Sequence, residues 1–84
     1  MAKFLVSFSI RHAHTPANEW EQWIVEVTAS SRKEVNKSLE ILENHLAETM
    51  GAAWITNGAR VLTAKEAKGQ PVEDKMVLKN GKVS

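Results

Sequence analysis

Apolar and polar residues alternate along the first segment of the chain, KFLVSFSIRH. One side carries Phe4, Val6, Phe8 and Ile10, and the other carries Lys3, Ser7, Ser9 and Arg11. Because successive side chains of a strand point to opposite faces of a sheet, this alternation predicts a strand with one face on a core and one in water.

A second alternating segment runs from about Trp20 to Ala29. One face carries Trp23, Val25, Val27 and Ala29, and the other carries Gln22, Glu26 and Thr28 together with Trp20 and Ile24. This pattern predicts a second strand. Between the two strands, Pro16 and Asn18 indicate a turn longer than a two-residue hairpin.

The middle of the chain has the spacing of one amphipathic helix. Ser31 and Glu34 form a Ser-x-x-Glu capping box, and Gly51 follows the last apolar position as the expected left-handed C-cap. The apolar stripe between them consists of Val35, Leu39, Leu42, Leu46 and Met50. This spacing predicts a continuous helix of about five turns with one face buried.

Two Asn-Gly pairs, each flanked by β-forming residues, follow the helix. Asn-Gly favours a type I′ turn because both residues tolerate positive φ, so each pair predicts a hairpin. The expected segments are strands at Ala53–Thr56 and Ala59–Thr63, a polar connector at 64–74 with one helical turn, and a short hairpin at 75–84 around Asn80 and Gly81.

These elements predict an α+β fold of ββαββ order. We expect an antiparallel sheet of about four strands with the single helix packed across its apolar face. The chain of 84 residues then forms one domain, 1–84, whose core lies within residues 3–63.

Composition removes several functional classes. The chain has no cysteine, which excludes a thiol nucleophile and a thiolate zinc site. Its net charge is +1, unlike that of a strongly basic nucleic-acid binder. The first apolar stretch is too short and too interrupted for a signal peptide or a membrane span, so the expected compartment is the cytoplasm.

Few residues are arranged for chemistry. His12 and His14 are the weak candidates for a metal site, with Glu19 and His45 as further ligands, but local spacing completes no ligand set. The sequence also lacks a triad spacing, a glycine-rich phosphate loop and a paired-carboxylate motif. We therefore expect neither an enzyme nor a bound cofactor.

Partner binding is the favoured role. Trp20 and Trp23 lie three residues apart on a strand and so point to opposite faces. If Trp23 packs under the helix, Trp20 faces outward as an aromatic anchor, unless the C-terminal segment covers it. Trp54 is expected in the core.

The start of the helix is basic, although the helix dipole favours acidic residues there. Basic side chains beside free backbone N–H groups suit an acidic partner. The candidate contacts are Arg32, Lys33 and Lys37, with Lys75, Lys79 and Lys82 as an extension.

Two alternatives remain at this stage. A nucleic-acid-binding protein would use the helix N-terminus and the outer sheet face through Lys3, Arg11 and Arg60, although the small net charge disfavours tight binding. A self-associating structural protein would pair an edge strand or the Trp20 face across a two-fold axis. The expected state is a monomer or a homodimer.

The order of elements resembles a type of small phage-encoded protein that binds and inhibits a host machine. KFLVSFSI, WEQWIVEVTASSRKEV, the helix and AAWITNGARV carry the resemblance over residues 3–63. The phage inhibitor of bacterial RNA polymerase and several anti-CRISPR proteins are similar in order or size. The resemblance implies a non-enzymatic inhibitor of a larger bacterial complex. It contains no diagnostic motif, so it assigns no role to a particular residue.

Overall fold

The two alternating segments form neighbouring strands inside a five-stranded sheet. In the computed structural model, which describes residues 1–84, β1 spans Ala2–His12 and β2 spans Glu21–Ala29. They pair antiparallel, with Ala2 opposite Ala29 and Ile10 opposite Glu21. The predicted apolar faces are confirmed: they form the inner face of the sheet, toward the helices.

The remaining elements follow in chain order. They are α1 at Arg32–Lys37, α2 at Leu39–Met50, β3 at Trp54–Val61, α3 at Ala64–Ala67, β4 at Asp74–Lys79 and β5 at Lys82–Val83. The sheet order is β3-β1-β2-β4-β5. None of the three helices has the length and hydrophobicity that a membrane-spanning helix needs.

The α+β class is confirmed, but the arrangement of strands differs from the prediction. The sheet has five strands, and β4 pairs with β2 in parallel from Val25 opposite Asp74 to Thr28 opposite Val77. The parallel pair arises because the chain leaves the sheet at β3 and re-enters it beyond β1 and β2. The core also extends past residues 3–63, since Met76 and Leu78 of β4 are buried in it.

The predicted single helix is interrupted at Ser38. The N–H of Ser38 donates to Val35 O at 3.0 Å, a bond one residue shorter than in an α-helix, and the backbone there has φ −113° and ψ 14°. Asn36 and Ser38 are weak helix formers, so the break falls where helix propensity is low. Both segments bury their part of the apolar stripe, since Val35 of α1 and Leu42 of α2 are fully buried.

The predicted caps of the helix are largely present. The Ser31 hydroxyl accepts from the Glu34 N–H at 3.1 Å. The Glu34 carboxylate reaches back to the N–H and hydroxyl of Ser30, one residue before the position that a capping box requires. Gly51 has the expected positive φ of 93°, but its ψ of 174° is not left-handed helical.

Asn57 and Gly58 do not form the predicted hairpin; they form a β-bulge inside one continuous strand, β3. Phe8 of β1 lies opposite Ala59 and Ile10 lies opposite Thr56, so two residues of β3 face the single residue Ser9. The two flanking arms each pair with the long strand β1 instead of with each other. Asn80 and Gly81 do form the predicted hairpin, with φ of 53° and 75°.

The core lies between the inner face of the sheet and the two helices α1 and α2. Its buried residues are Val6, Phe8, Ile10, Val25, Val27, Ala29, Val35, Leu42, Leu46, Val61, Met76 and Leu78. Burying each large side chain of this set contributes about 1.5–3 kcal/mol. Trp54 and Trp23 are half-buried and pack against this cluster, so Trp54 lies at the margin of the core where we expected it inside.

The segment between β3 and β4 covers part of the opposite, outer face of the sheet. Ile24 and Leu62 are 3% and 6% exposed, yet neither belongs to the core cluster. Glu73 extends the β2–β4 ladder, because its N–H donates to Ile24 O at 2.8 Å. The connector therefore crosses the outer face near the end of β3 and leaves the other end of that face open.

Candidate binding surface on the outer sheet face

The open end of the outer face holds a shallow polar depression of about 240 Å³. Small residues of β1 form its floor, and longer residues of the neighbouring strands β2 and β3 stand beside them. The lining consists of Ser7, Ser9, Gln22, Asn57, Gly58, Ala59 and Arg60. These hydroxyl, amide and guanidinium groups recognise ligands by hydrogen bonding. The lining includes no histidine or carboxylate, the groups most used in acid–base catalysis.

A row of three side chains crosses the sheet at the end of this depression; we call it the Trp20 row. Arg11 of β1 lies opposite Ile55 of β3 and next to Trp20, which precedes β2. Trp20 and Ile55 are 38% and 37% exposed. The Trp20 row thus places an aromatic and an aliphatic side chain at the surface on either side of a guanidinium.

Arg11 stacks on Trp20 and fixes its position. The Cζ atom of Arg11 lies 5.3 Å from the centroid of the Trp20 ring, within the range of a cation–π contact. This geometry resolves the two alternatives for Trp20, since the C-terminal segment leaves it exposed.

The donors of Arg11 are only partly used. Its Nη1 donates to Thr15 O at 3.4 Å, and its Nε is buried without an acceptor in the protein. Thr15 itself is held by His12 O, which accepts from the Thr15 hydroxyl at 2.7 Å and from its N–H at 3.0 Å. The loop after β1 therefore positions Arg11 but gives it no carboxylate.

The other two candidates for nucleic-acid contact are paired with acidic side chains. Arg60 donates two hydrogen bonds to Glu66, at 2.9 and 2.7 Å. These bonds, more than the N–H of Thr63, lower the pKa of Glu66 to about 2. Lys3 lies 3.9 Å from Glu26. Of the set Lys3, Arg11 and Arg60, only Arg11 lacks a carboxylate partner.

The four residues predicted to bind a partner do not form one surface. Trp20 immediately precedes β2 and Arg32 lies three residues beyond its end, and the nine residues of β2 span roughly 30 Å. Arg32 is also engaged within the fold, donating to Leu62 O at 3.0 Å and to Val61 O at 3.3 Å. Lys33 and Lys37 are exposed beside the start of α1.

The histidine candidates are arranged as local structural contacts. His12 packs edge-on against Trp54, with the ring centroids 5.2 Å apart, and its Nδ1 accepts from the His14 N–H at 3.2 Å. His45 lies on α2 beside Glu48. No group of three or more histidine, aspartate or glutamate side chains is placed to hold a metal ion.

Comparison with protein-family models, with curated proteins and with solved structures finds no significant match to this chain. The candidate surface therefore rests on geometry alone. Sequence reasoning placed Trp20 on the outer face but did not name Ile55. The available signal was its position next to Trp54, since adjacent residues of a strand face opposite sides. The alternation of Arg11, Ser9 and Ser7 was the available signal for the depression.

Proposed function

We propose that this protein is a non-enzymatic protein-interaction module, and that the Trp20 row is the centre of its contact with a larger partner. The observation that carries the proposal is an exposed tryptophan stacked on an arginine beside an exposed isoleucine. Tryptophan and arginine are enriched among the residues that dominate binding energy at interfaces. Arg11 and Ile55 lie on paired strands and Trp20 stacks on Arg11, so little conformational freedom is lost on binding.

A protein partner fits the charges of the outer face better than a nucleic acid does. Tight binding to nucleic acid requires several cations that neutralise phosphates. On this face Arg60 and Lys3 already neutralise Glu66 and Glu26. The net charge of +1 supports the same choice.

The proposed partner is a bacterial complex, and the proposed action is to occlude one of its surfaces. The resemblance in element order to phage-encoded inhibitors supports this setting. Lys33 and Lys37, exposed near the far end of β2, supply a second and separate electrostatic contact in this proposal.

The test compares two variants of similar exposed apolar residues on different faces. Trp20→Ala removes the anchor, and Ile41→Ala removes a side chain that is 43% exposed on α2. Tagged proteins are used to capture partners from nuclease-treated bacterial lysate, and the affinity of the purified complex is then measured by calorimetry. We expect Trp20→Ala to weaken binding at least about tenfold, in the range of hot-spot residues, and Ile41→Ala to leave it unchanged.

Both variants are first checked for an unchanged circular dichroism spectrum and a cooperative thermal transition. Equal affinity for the wild type and a folded Trp20→Ala variant would refute the proposal. Material that is captured from untreated lysate and is absent after nuclease treatment would instead support the nucleic-acid alternative.

A further inference from the structure

The three arginines of the chain differ in what their guanidinium groups bind. Arg32 donates to two backbone carbonyls, and Arg60 donates to both oxygens of Glu66. Arg11 makes one long bond to Thr15 O and has a buried Nε with no acceptor. A guanidinium has five N–H donors. Because Nε is buried and one Nη1 donor is used, the donors available to an external acceptor are the remaining ones on the two Nη atoms.

The polar depression leads directly to Arg11. Ser7, Ser9 and Arg11 are alternate residues of β1 and so lie in one line on the outer face, about 6.6 Å apart from one to the next. The two serines are short, and Gln22 and Asn57 stand on either side of them. An extended chain lying over Ser7 and Ser9 therefore reaches Arg11 with its next side chain.

We propose that the outer face binds an acidic peptide segment of the partner, with a glutamate or aspartate carboxylate on the Arg11 guanidinium. This inference rests on the proposed function and adds the chemistry of the partner. A carboxylate matches the planar fork of an arginine and forms two parallel charge-assisted hydrogen bonds. The apolar neighbours of that acidic residue pack on Trp20 and Ile55, and its backbone lies along the serines.

The charge pattern favours a carboxylate segment over a nucleic-acid strand. Tight binding of a strand requires several phosphates to be neutralised, and Arg11 is the one guanidinium on this face without a carboxylate partner. An acidic segment needs only one of its carboxylates on Arg11, where the planar fork accommodates it. Arg60, beside the depression, is already held by Glu66.

The experiment uses two matched peptides, acetylated hexaglutamate and acetylated hexaglutamine. Binding to the full chain is followed by NMR through the Arg11 Nε–H and the Trp20 indole N–H at moderate salt. We expect hexaglutamate to shift both resonances and to bind about tenfold more tightly than hexaglutamine. Arg11→Gln removes this preference, and Arg11→Lys, which keeps the charge but loses the fork, restores only part of it. Lys68→Gln, an equal charge change at an exposed position after α3, leaves it intact.

Three results would overturn the inference. The first is equal affinity for the two peptides, including the absence of binding to either. The second is an equal loss of hexaglutamate binding in Arg11→Gln and Lys68→Gln. The third is tighter binding of a hexathymidylate strand than of hexaglutamate, which would identify the site as a phosphate site.

The outcome is separable from that of the proposed function. If Trp20→Ala abolishes partner binding but Arg11→Gln does not, the interaction surface stands and the acidic segment is wrong. If hexaglutamate binds at Arg11 while Trp20→Ala leaves partner binding intact, the acidic site stands and the role of Trp20 as the anchor fails.

Discussion

Residue identity alone does not set the role of a charged side chain in this protein; its neighbours do. Arg60 and Arg11 both project from the outer face, but Arg60 faces Glu66 on α3 whereas Arg11 faces the ring of Trp20. Glu66 is also fixed by the short helix that carries it, since it forms a capping box with Thr63. The pair is thus preorganised, and its strength depends on the ionisation of Glu66.

The pH dependence of stability tests this pair. The pKa of Glu66 falls from 4.5 to about 2 in the folded state, because Arg60 and the Thr63 N–H stabilise the carboxylate. The unfolded state therefore takes up the proton first, so the contribution is present above about pH 4.5 and is lost as the pH falls toward 2. We expect wild type to be more stable than Glu66→Gln at pH 7 and this difference to shrink by pH 3, as measured by urea unfolding.

The matched control is Glu48→Gln, which removes an exposed carboxylate that forms no salt bridge. Its stability difference from wild type should not follow the same pH profile. A Glu66→Gln difference that stays constant from pH 7 to pH 3 would contradict the pairing.

At the residue level, the alternation of side chains along β1 and β2 predicted correctly which face of the sheet each residue occupies. It placed Trp20 and Arg11 on the outer face and Phe8 and Val25 on the inner one, as found. This alternation could not predict that Arg11 lacks a carboxylate partner, because the ionic partners of a residue depend on which distant segments lie next to it. Glu66 reaches Arg60 only because the connector folds back over the sheet.

The two Asn-Gly pairs show how one local motif forms two different elements. At Asn80 and Gly81 both residues have positive φ, as a type I′ hairpin requires. At Asn57 and Gly58 only the glycine does, with φ of 93°. The difference lies in the partner strand: both arms of β3 pair with the 11-residue β1, whereas β5 pairs only with β4, the arm that precedes the turn.

The bulge also ties the sheet to the helix layer. The Gly58 N–H donates to the Glu43 carboxylate of α2 at 3.0 Å, and the Thr56 hydroxyl donates to the same carboxylate at 3.2 Å. The bulge interrupts the ladder, and Glu43 supplies an acceptor for the Gly58 amide.

Substitution of Gly58 tests the bulge. A Cβ at this position would meet no atom within 4 Å, so the cost of Gly58→Ala is conformational and not steric. An alanine held at positive φ costs about 1–2 kcal/mol. We expect Gly58→Ala to lower the free energy of unfolding by about that amount and Gly58→Asn by less, because asparagine tolerates positive φ. Urea unfolding measures both, and equal losses in the two variants would contradict the bulge geometry.

At the level of elements, local sequence patterns predicted correctly the helices and strands whose formation depends on local contacts. The periodicity of β1 and β2, the apolar stripe with its Ser31 cap and the helical turn at 64–67 are all present. The parallel pairing of β2 with β4 was not predictable, since its segments are about 50 residues apart and no spacing rule links them. The break at Ser38 was missed because the apolar stripe runs on through it.

The molecule as a whole consists of a sheet with two helices packed on one face and with the connector covering part of the other. This asymmetry decides where a partner has access. The connector buries Leu62 and Ile24 and leaves the Trp20 row exposed. The open surface is therefore defined as much by the path of residues 62–73 as by the strands beneath it.

Arg32 connects helix α1 to the end of strand β3. Its substitution tests whether the side chain stabilises the fold or binds the partner. Its guanidinium extends from the start of α1 to the carbonyls of Val61 and Leu62, where edge strand β3 ends and the connector begins. Lysine keeps the charge but not the two-pronged geometry. We expect Arg32→Lys to lower the free energy of unfolding by about 1 kcal/mol, a fall of roughly 4–8 °C in Tm. Lys33→Gln, a charge change at an adjacent exposed residue, should stay within about 0.5 kcal/mol of wild type. Calorimetry that shows Arg32→Lys to be as stable as Lys33→Gln would contradict this structural role. If partner affinity also falls in Arg32→Lys and not in Lys33→Gln, then Arg32 acts at the interface, and apolar packing alone holds the helices on the sheet.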